Sequence, residues 1–245
     1  MRNQIPELER HKILAVSQEE LFSGEPESQE ALDYLIQVRK FDRATLEKFS
    51  VGYMPSKTKN CLGKTHELAG RIMLPINNQY GDLVAFSSRD WRQGCHRPFW
   101  HESYKKGCYL YGLDVAKSSI IKNKKAILVE GEFDVMKLHQ HNISCSVCVN
   151  GSAPQLHQIS LLRRYCKEMY LAFDSDEAGL TAIRRLQKVP IAKFFNRAFL
   201  DIRLIPVFLP KSMDPDDYVK KAGREAFIDV LKKSKKNHYN NMEKK

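Results

Sequence analysis

At 245 residues and 42% hydrophobic, the chain has enough apolar material to bury an ordinary core without disulfide support, as one large domain or two small ones. Its formal net charge of +11 favours a polyanionic partner, nucleic acid or an acidic membrane surface. No apolar run approaches the roughly 20 residues of a membrane span, which excludes a helical transmembrane protein.

The first stretch, to about residue 50, reads as helical. In "SQEALDYLIQVRKFDRATLEKF", Leu32, Leu35, Ile36, Leu46 and Phe49 recur at helical intervals. Ser28 is placed to open the first of these helices and Asp42 to cap the second. From Val51 to about Leu113 the texture changes to short apolar pieces, "RIMLPI", "DLVAFSSR" and "KGCYLYG", broken by "NNQYGD" and "RQGCHRP". "INNQYGDLVAF" predicts a hairpin turning at Gly81. The region is expected to be a small, mostly β unit rich in Arg, Lys and aromatic residues.

After the polar break "KNKK" the pattern alternates. "AILVE", "ISCSVCV", "MYLAF" and "DIRLIPVFLP" read as strands. "EFDVMKLHQH", "PQLHQISLLRRYC" and "AGLTAIRRLQK" read as helices, with Pro154 expected in the first turn of the second. Continuous apolar strands separated by helices indicate an α/β, mainly parallel sheet covered on both faces. A turn at Asp214-Pro215-Asp216-Asp217 leads to a helix over "REAFIDVLKK", and a basic, frayed tail is expected beyond Lys232.

The six cysteines are scattered, in keeping with a reducing, cytoplasmic location. Cys145 and Cys148 form a single C-x-x-C with no second pair at zinc spacing. On a strand, residues three apart face opposite sides and chelate poorly, so no metal role is expected for them.

Ligands of a parallel α/β sheet bind at the carboxyl ends of its strands. Three acid groups fall there: Glu130, with Asp134 on the following helix; Asp174 and Asp176; and Asp214, Asp216 and Asp217. Converging carboxylates raise one another's pKa unless a cation joins them, and such oxygen ligands suit Mg²⁺ or Mn²⁺. Two such ions would support phosphoryl or nucleotidyl transfer. Taken singly, Asp134 or Asp176 is more often a helix cap than a ligand. An EF-hand starting at Asp174 fails, because Ala178 and Arg185 occupy ligand positions. A phosphatase with an aspartyl nucleophile remains open from "AFDSD" alone.

Residues "LVEGEFDVMKLHQ" and "YLAFDSDEAGLTAIRRL" resemble the E-G-x-x-D and D-x-D-x-A-G segments of the Toprim domain. Outside it, "LDYLIQVRKFDRATLEKFSVGYMPS", "AGRIMLPINNQYGDLVAFSSR", "YKKGCYLYGLDVAK", "LLRRY" and "DPDDYVKKAG" resemble the catalytic core of DnaG-type primases, over about residues 28 to 230. The resemblance implies an α+β core subdomain over residues 1–122, a Toprim domain over 123–210 and a short helical segment with a basic tail over 211–245.

The resemblance further implies that Glu130, Asp174 and Asp176 are catalytic. Glu130, Asp134, Asp174, Asp176, Asp214 and Asp216 would hold Mg²⁺ or Mn²⁺. Arg71, Arg89, Lys105 and Lys106 would hold template phosphates or the incoming triphosphate; Arg suits bidentate phosphate contacts and Lys a point charge.

The expected activity is synthesis of short RNA primers from ribonucleotide triphosphates on single-stranded DNA. A Toprim nuclease and a non-catalytic DNA-binding replisome subunit are the alternatives. Ser88 stands where the family pattern has Gly. The sequence shows neither the family's zinc-binding module nor its helicase-binding domain. A replicative helicase and a separate zinc-binding or accessory protein are therefore expected partners, as is a phage or mobile-element origin.

Overall fold

The computed structural model describes residues 4–56, 68–92, 94, 96, 98–151, 153–174, 202–210 and 213–242. They fall into two compact units, Met1–Lys105 and Lys106–Lys245.

The first unit begins with helices α1 (Glu7–Leu21), α2 (Pro26–Asp33) and α3 (Arg43–Lys48), with a π-helical turn at Tyr34–Val38 between the last two. The Asp42 carboxylate accepts the Thr45 N–H at 2.7 Å and caps α3 as the sequence predicts. Ser28 opens nothing: α2 starts two residues earlier at Pro26, whose fixed φ suits a first helical position, and Ser28 is buried inside the helix.

An antiparallel sheet follows, in the order β1 (Gly52–Met54), β2 (Arg71–Asn77), β3 (Leu83–Arg89) and β4 (Phe99–His101). β2 and β3 form the expected hairpin, with Gly81 at φ 97° in its turn. α1 packs against β1, and Ile13, Met54, Leu68, Met73, Leu83 and Phe86 make the core between helix and sheet. Gly52 lets the two approach: a Cβ there would sit 2.2 Å from Ser17 Oγ of α1. The N-terminal segment is fastened by a buried carboxylate. Glu102 accepts from the Ile5 N–H at 2.8 Å, Arg10 Nε at 3.0 Å and the Phe86 N–H at 3.2 Å.

The second unit carries a sheet in the order β6 (Ser146–Cys148), β5 (Lys125–Val129), β7 (Glu168–Leu171) and β8 (Arg203–Pro206), and every pairing is parallel. Ala126, Ile127, Leu128 and Val129 of β5 are all 0% exposed, as a strand covered on both faces requires. The covering helices are α4 (Leu113–Asn123), α5 (Glu132–Gln140), α6 (Leu156–Arg163) and α7 (Pro215–Met242). α4 docks on β5 and β6 and belongs to this second unit, which begins at Lys106. α7 packs on α5 and β8, which makes residues 213–242 part of this unit.

Two local expectations change. Pro154 precedes α6 and is not in its first turn: the N-cap is Gln155, whose N–H donates to Gln158 Oε1 at 2.9 Å. The basic tail is helical through Met242, with a break at Gly223 (φ 82°). It is held there because Lys235 Nζ lies 2.8 Å from a Glu168 carboxylate oxygen. The helix expected over "AGLTAIRRLQK" lies outside the described residues. Among the described residues no helix is long and apolar enough to cross a membrane.

Candidate active site

β5 and β7 are neighbours in parallel register, Leu128 opposite Leu171, so the chain leaves both at the same edge of the sheet. Glu130 follows β5 and Asp174 follows β7. Glu130 Oε1 accepts the Asp174 N–H at 3.3 Å, which ties the two strand ends together. Gly131 then turns the chain into α5. A Cβ on Gly131 would come within 2.9 Å of Asp134 Oδ2, and that oxygen accepts the Gly131 N–H at 3.1 Å.

Asp134 is therefore a capping residue of α5, and it also reaches the third acid group: its Oδ1 accepts the Asp216 N–H at 3.3 Å. Asp214 caps α7, accepting the Asp217 N–H at 2.6 Å. Asp216, 1% exposed, places Oδ1 3.3 Å from Lys220 Nζ, and Lys220 also reaches Asp217 at 2.9 Å.

The three strand-end groups thus converge, as their positions in the sequence predict. Burial pushes the Asp134 carboxyl well above its ordinary range, and the charges of Asp214, Asp174 and Asp216 push it further; the Gly131 hydrogen bond opposes only part of this. Asp176 and Glu177 lie outside the described residues.

The donor chemistry here is carboxylate oxygen, which fits a hard divalent cation. Among the described residues no three His, Cys, Asp or Glu side chains close into one ligand cage. Acids in electrostatic reach of each other, without a closed cage, fit an ion that keeps several of its waters. Cys145 and Cys148 do not contribute. Burial raises both thiols, Cys148 the more strongly, and Cys148 Sγ donates to the Glu130 carbonyl oxygen at 2.8 Å.

Of the four basic candidates, Lys106 belongs to this unit. Burial lowers its pKa and the charge of Glu132 opposes that shift. Glu132, buried in the first turn of α5, escapes sequence reading because an acid at a helix start has an ordinary explanation in the helix dipole. Gln158 escapes it too. Fully buried on α6, its Nε2 donates toward the carbonyls of Tyr109 at 2.7 Å, Val149 at 3.0 Å and Lys106 at 3.2 Å. These bonds fix the backbone that carries Lys106, and Gly107 leaves room for Gln155, whose Oε1 would be 1.9 Å from a Cβ at that position.

Within the first unit, Arg71 opens β2 and Arg89 closes β3. The Ile72–Arg89 pairing brings the two to one end of the sheet. Arg71 Nη1 lies 3.5 Å from the Pro98 carbonyl oxygen, and the Arg89 guanidinium sits 4.9 Å from the centre of the Phe99 ring. Lys105 is exposed at the end of this unit.

Residues 127–219 match the family described as Toprim-like. The chain is 29% identical to the DNA primase of Synechococcus elongatus, over 96% of this chain and 38% of that one. It is 30% identical to the DNA primase of Chlamydia trachomatis, over 84% of this chain and 38% of that one. The chain thus spans less than half the length of these curated relatives. A DnaG primase catalytic domain bound to single-stranded DNA has the same fold, with a TM-score of 0.78 at 23% identity over 91% of this chain and 79% of that one.

Proposed function

We propose that this chain, a homologue of the DNA primases that spans their Toprim-containing catalytic core, joins ribonucleotide triphosphates into short RNA primers on a single-stranded DNA template. The observation that carries this reading is the convergence of Glu130, Asp134, Asp174, Asp214 and Asp216 at one sheet edge, where burial and the charges of Asp214, Asp174 and Asp216 raise the cost of ionising Asp134.

Glu130, Asp174 and Asp176 are the residues to which the reading gives the reacting centre, with Asp134, Asp214 and Asp216 completing the acid set. Mg²⁺ or Mn²⁺ bound there would neutralise the cluster and stabilise charge on the attacking and leaving oxygens. The Glu130–Asp174 hydrogen bond sets the spacing of the two strand ends. Asp134 and Asp214 hold the starts of α5 and α7, and so hold the loops from which the other acids project. Lys106, its backbone fixed by Gln158, would take nucleotide phosphates; Arg71, Arg89 and Lys105 would take phosphates of template or nucleotide. A replicative helicase and a zinc-binding accessory protein are the partners this reading assigns for recruitment and choice of start site.

The test is a priming assay on mixed-sequence single-stranded DNA with labelled ribonucleotides and Mg²⁺ or Mn²⁺. The reading expects labelled oligoribonucleotides from the wild type and none from Asp174→Ala. Absence of product with either ion, also after adding a candidate helicase and zinc-binding protein, would sink it.

A further inference from the structure

The edge of the parallel sheet opposite the acids has the reverse charge. In register across it stand Lys125, Glu168 and Arg203, the first residues of β5, β7 and β8. Glu168 is already taken: Arg203 Nη2 lies 3.3 Å from one of its oxygens and Lys235 Nζ 2.8 Å from the same one. One residue further out, Lys124 and Lys167 are exposed, and their backbones are joined by a hydrogen bond of 3.2 Å.

Beside them the end of α6 opens a cavity of about 240 Å³, lined by Arg163, Arg164, Cys166, Lys167 and Ile202. Arg164 and Lys167 are exposed, and no carboxylate among the described residues pairs with either. The carbonyl end of α6 accounts for roughly half a unit of negative charge, less than one of the three cations around the cavity. Arg164 and Lys167 thus leave positive charge at the cavity that no carboxylate among the described residues neutralises. A volume of this size is below the roughly 300 Å³ at which pockets for whole drug-sized ligands begin, but it accommodates a phosphate group whose chain continues outside.

We propose that this pocket binds a backbone phosphate of a nucleic-acid strand, giving the second unit a nucleic-acid contact on the edge remote from its acids. The choice of a strand over a free nucleotide follows from further exposed cations of this unit: Lys124, joined through its backbone to Lys167, and Lys233 and Lys236 of α7, the helix whose Lys235 reaches Glu168 at this edge. A single triphosphate has no use for them, whereas a strand gains from each phosphate it neutralises. The proposal does not depend on which reaction the acids catalyse.

The test measures binding of a fluorescent single-stranded oligonucleotide to the full chain in metal-free buffer, across a salt series, for wild type and for Arg164→Ser with Lys167→Ser. With about 0.7 of slope per phosphate contact on a single strand, losing two contacts should reduce the salt slope by about 1.4. The gap between wild type and variant should then shrink about sevenfold over a fourfold rise in salt. Inorganic triphosphate, titrated separately, distinguishes the two sources of phosphate. If the substitutions weaken triphosphate binding but leave the oligonucleotide unaffected, the pocket serves a nucleotide and the strand assignment falls. Unchanged affinity and slope for both probes overturn the site altogether. Both side chains are exposed, and equal melting temperatures confirm the fold; should the pair destabilise it, Lys167→Glu alone serves, with an expected slope change of about 0.7. No ribonucleotide or divalent ion enters the assay, so its failure leaves the primase reading untouched, and the converse holds.

Discussion

Glu130 and Asp174, 44 positions apart in the chain, are joined by a 3.3 Å hydrogen bond from the Asp174 N–H to Glu130 Oε1. The bond exists because β5 and β7 are adjacent parallel strands that release the chain at one edge. Glu130→Gln keeps an acceptor for that N–H and removes the charge, whereas Asp174→Ala keeps the N–H and removes a carboxylate. Each should lower primer synthesis by more than about a hundredfold, beyond the 10- to 100-fold typical of groups that only support metal ligands. Labelled-primer assays on matched, folded protein decide this; near-wild-type rates for either variant would remove that residue from the site.

Gln158→Leu should act on the site at a distance. It leaves the carbonyls of Lys106, Tyr109 and Val149 without their shared donor and should cost about 2–3 kcal/mol of stability. Because the freed backbone carries Lys106, KM for the ribonucleotide should rise more than the dissociation constant for the template. Equal effects on the two, measured by steady-state kinetics and oligonucleotide binding, would reduce Gln158 to a purely structural role.

Glu102 is a buried acceptor for two backbone N–H groups and for Arg10. Glu102→Ala strands the Arg10 charge against the first unit and should cost about 3 kcal/mol. Chemical denaturation should show a lower midpoint. Limited proteolysis should cut first near the N-terminus, since Ile5 and Arg10 lose their attachment. A variant as stable as wild type would contradict the account.

Glu168 gives a pH dependence. Burial alone would raise its pKa, but the Lys235 hydrogen bond and charge, with Arg203 and Tyr170, outweigh burial and hold it below the ordinary 4.5. A carboxyl depressed in the folded state contributes stability above its unfolded value, and that contribution disappears as the pH falls through the lower folded value. The melting temperature should therefore fall in acid below about pH 4.5, and Glu168→Gln should flatten that dependence while lowering stability at neutral pH. In hydrogen exchange, the α7 segment around Lys235 and Tyr239 should lose protection in the variant. An acid profile identical to wild type would show that the Glu168 cluster contributes nothing.

Much of this architecture is written in local pattern. The apolar runs before Glu130 and Asp174 predict buried parallel strands, and the parallel rule alone brings the acids to a common edge. Asp42 and Gly81 are equally readable, since a cap and a turn involve neighbours three or four residues away. Glu132, Gln158 and Glu102 are not. Their partners lie tens of residues off in sequence, as the 92-residue separation of Arg10 and Glu102 illustrates. Nothing in "HES" or "LHQIS" distinguishes a buried hub from a surface polar residue.

The tail shows the same limit. "KKSKKNHYNN" reads as a solvated, frayed end, and only the placement of Glu168 at the start of β7 supplies the counter-charge that keeps it helical. The sequence by itself determined the strands, the edge at which the acids meet and the resemblance of their segments to Toprim motifs, because hydrophobic period and short-range capping act within a few residues. Tertiary structure decided which acids share hydrogen bonds, which polar groups lock the Lys106 segment, and that the opposite edge of the sheet gathers cations. Each of these depends on residues that only folding brings into contact.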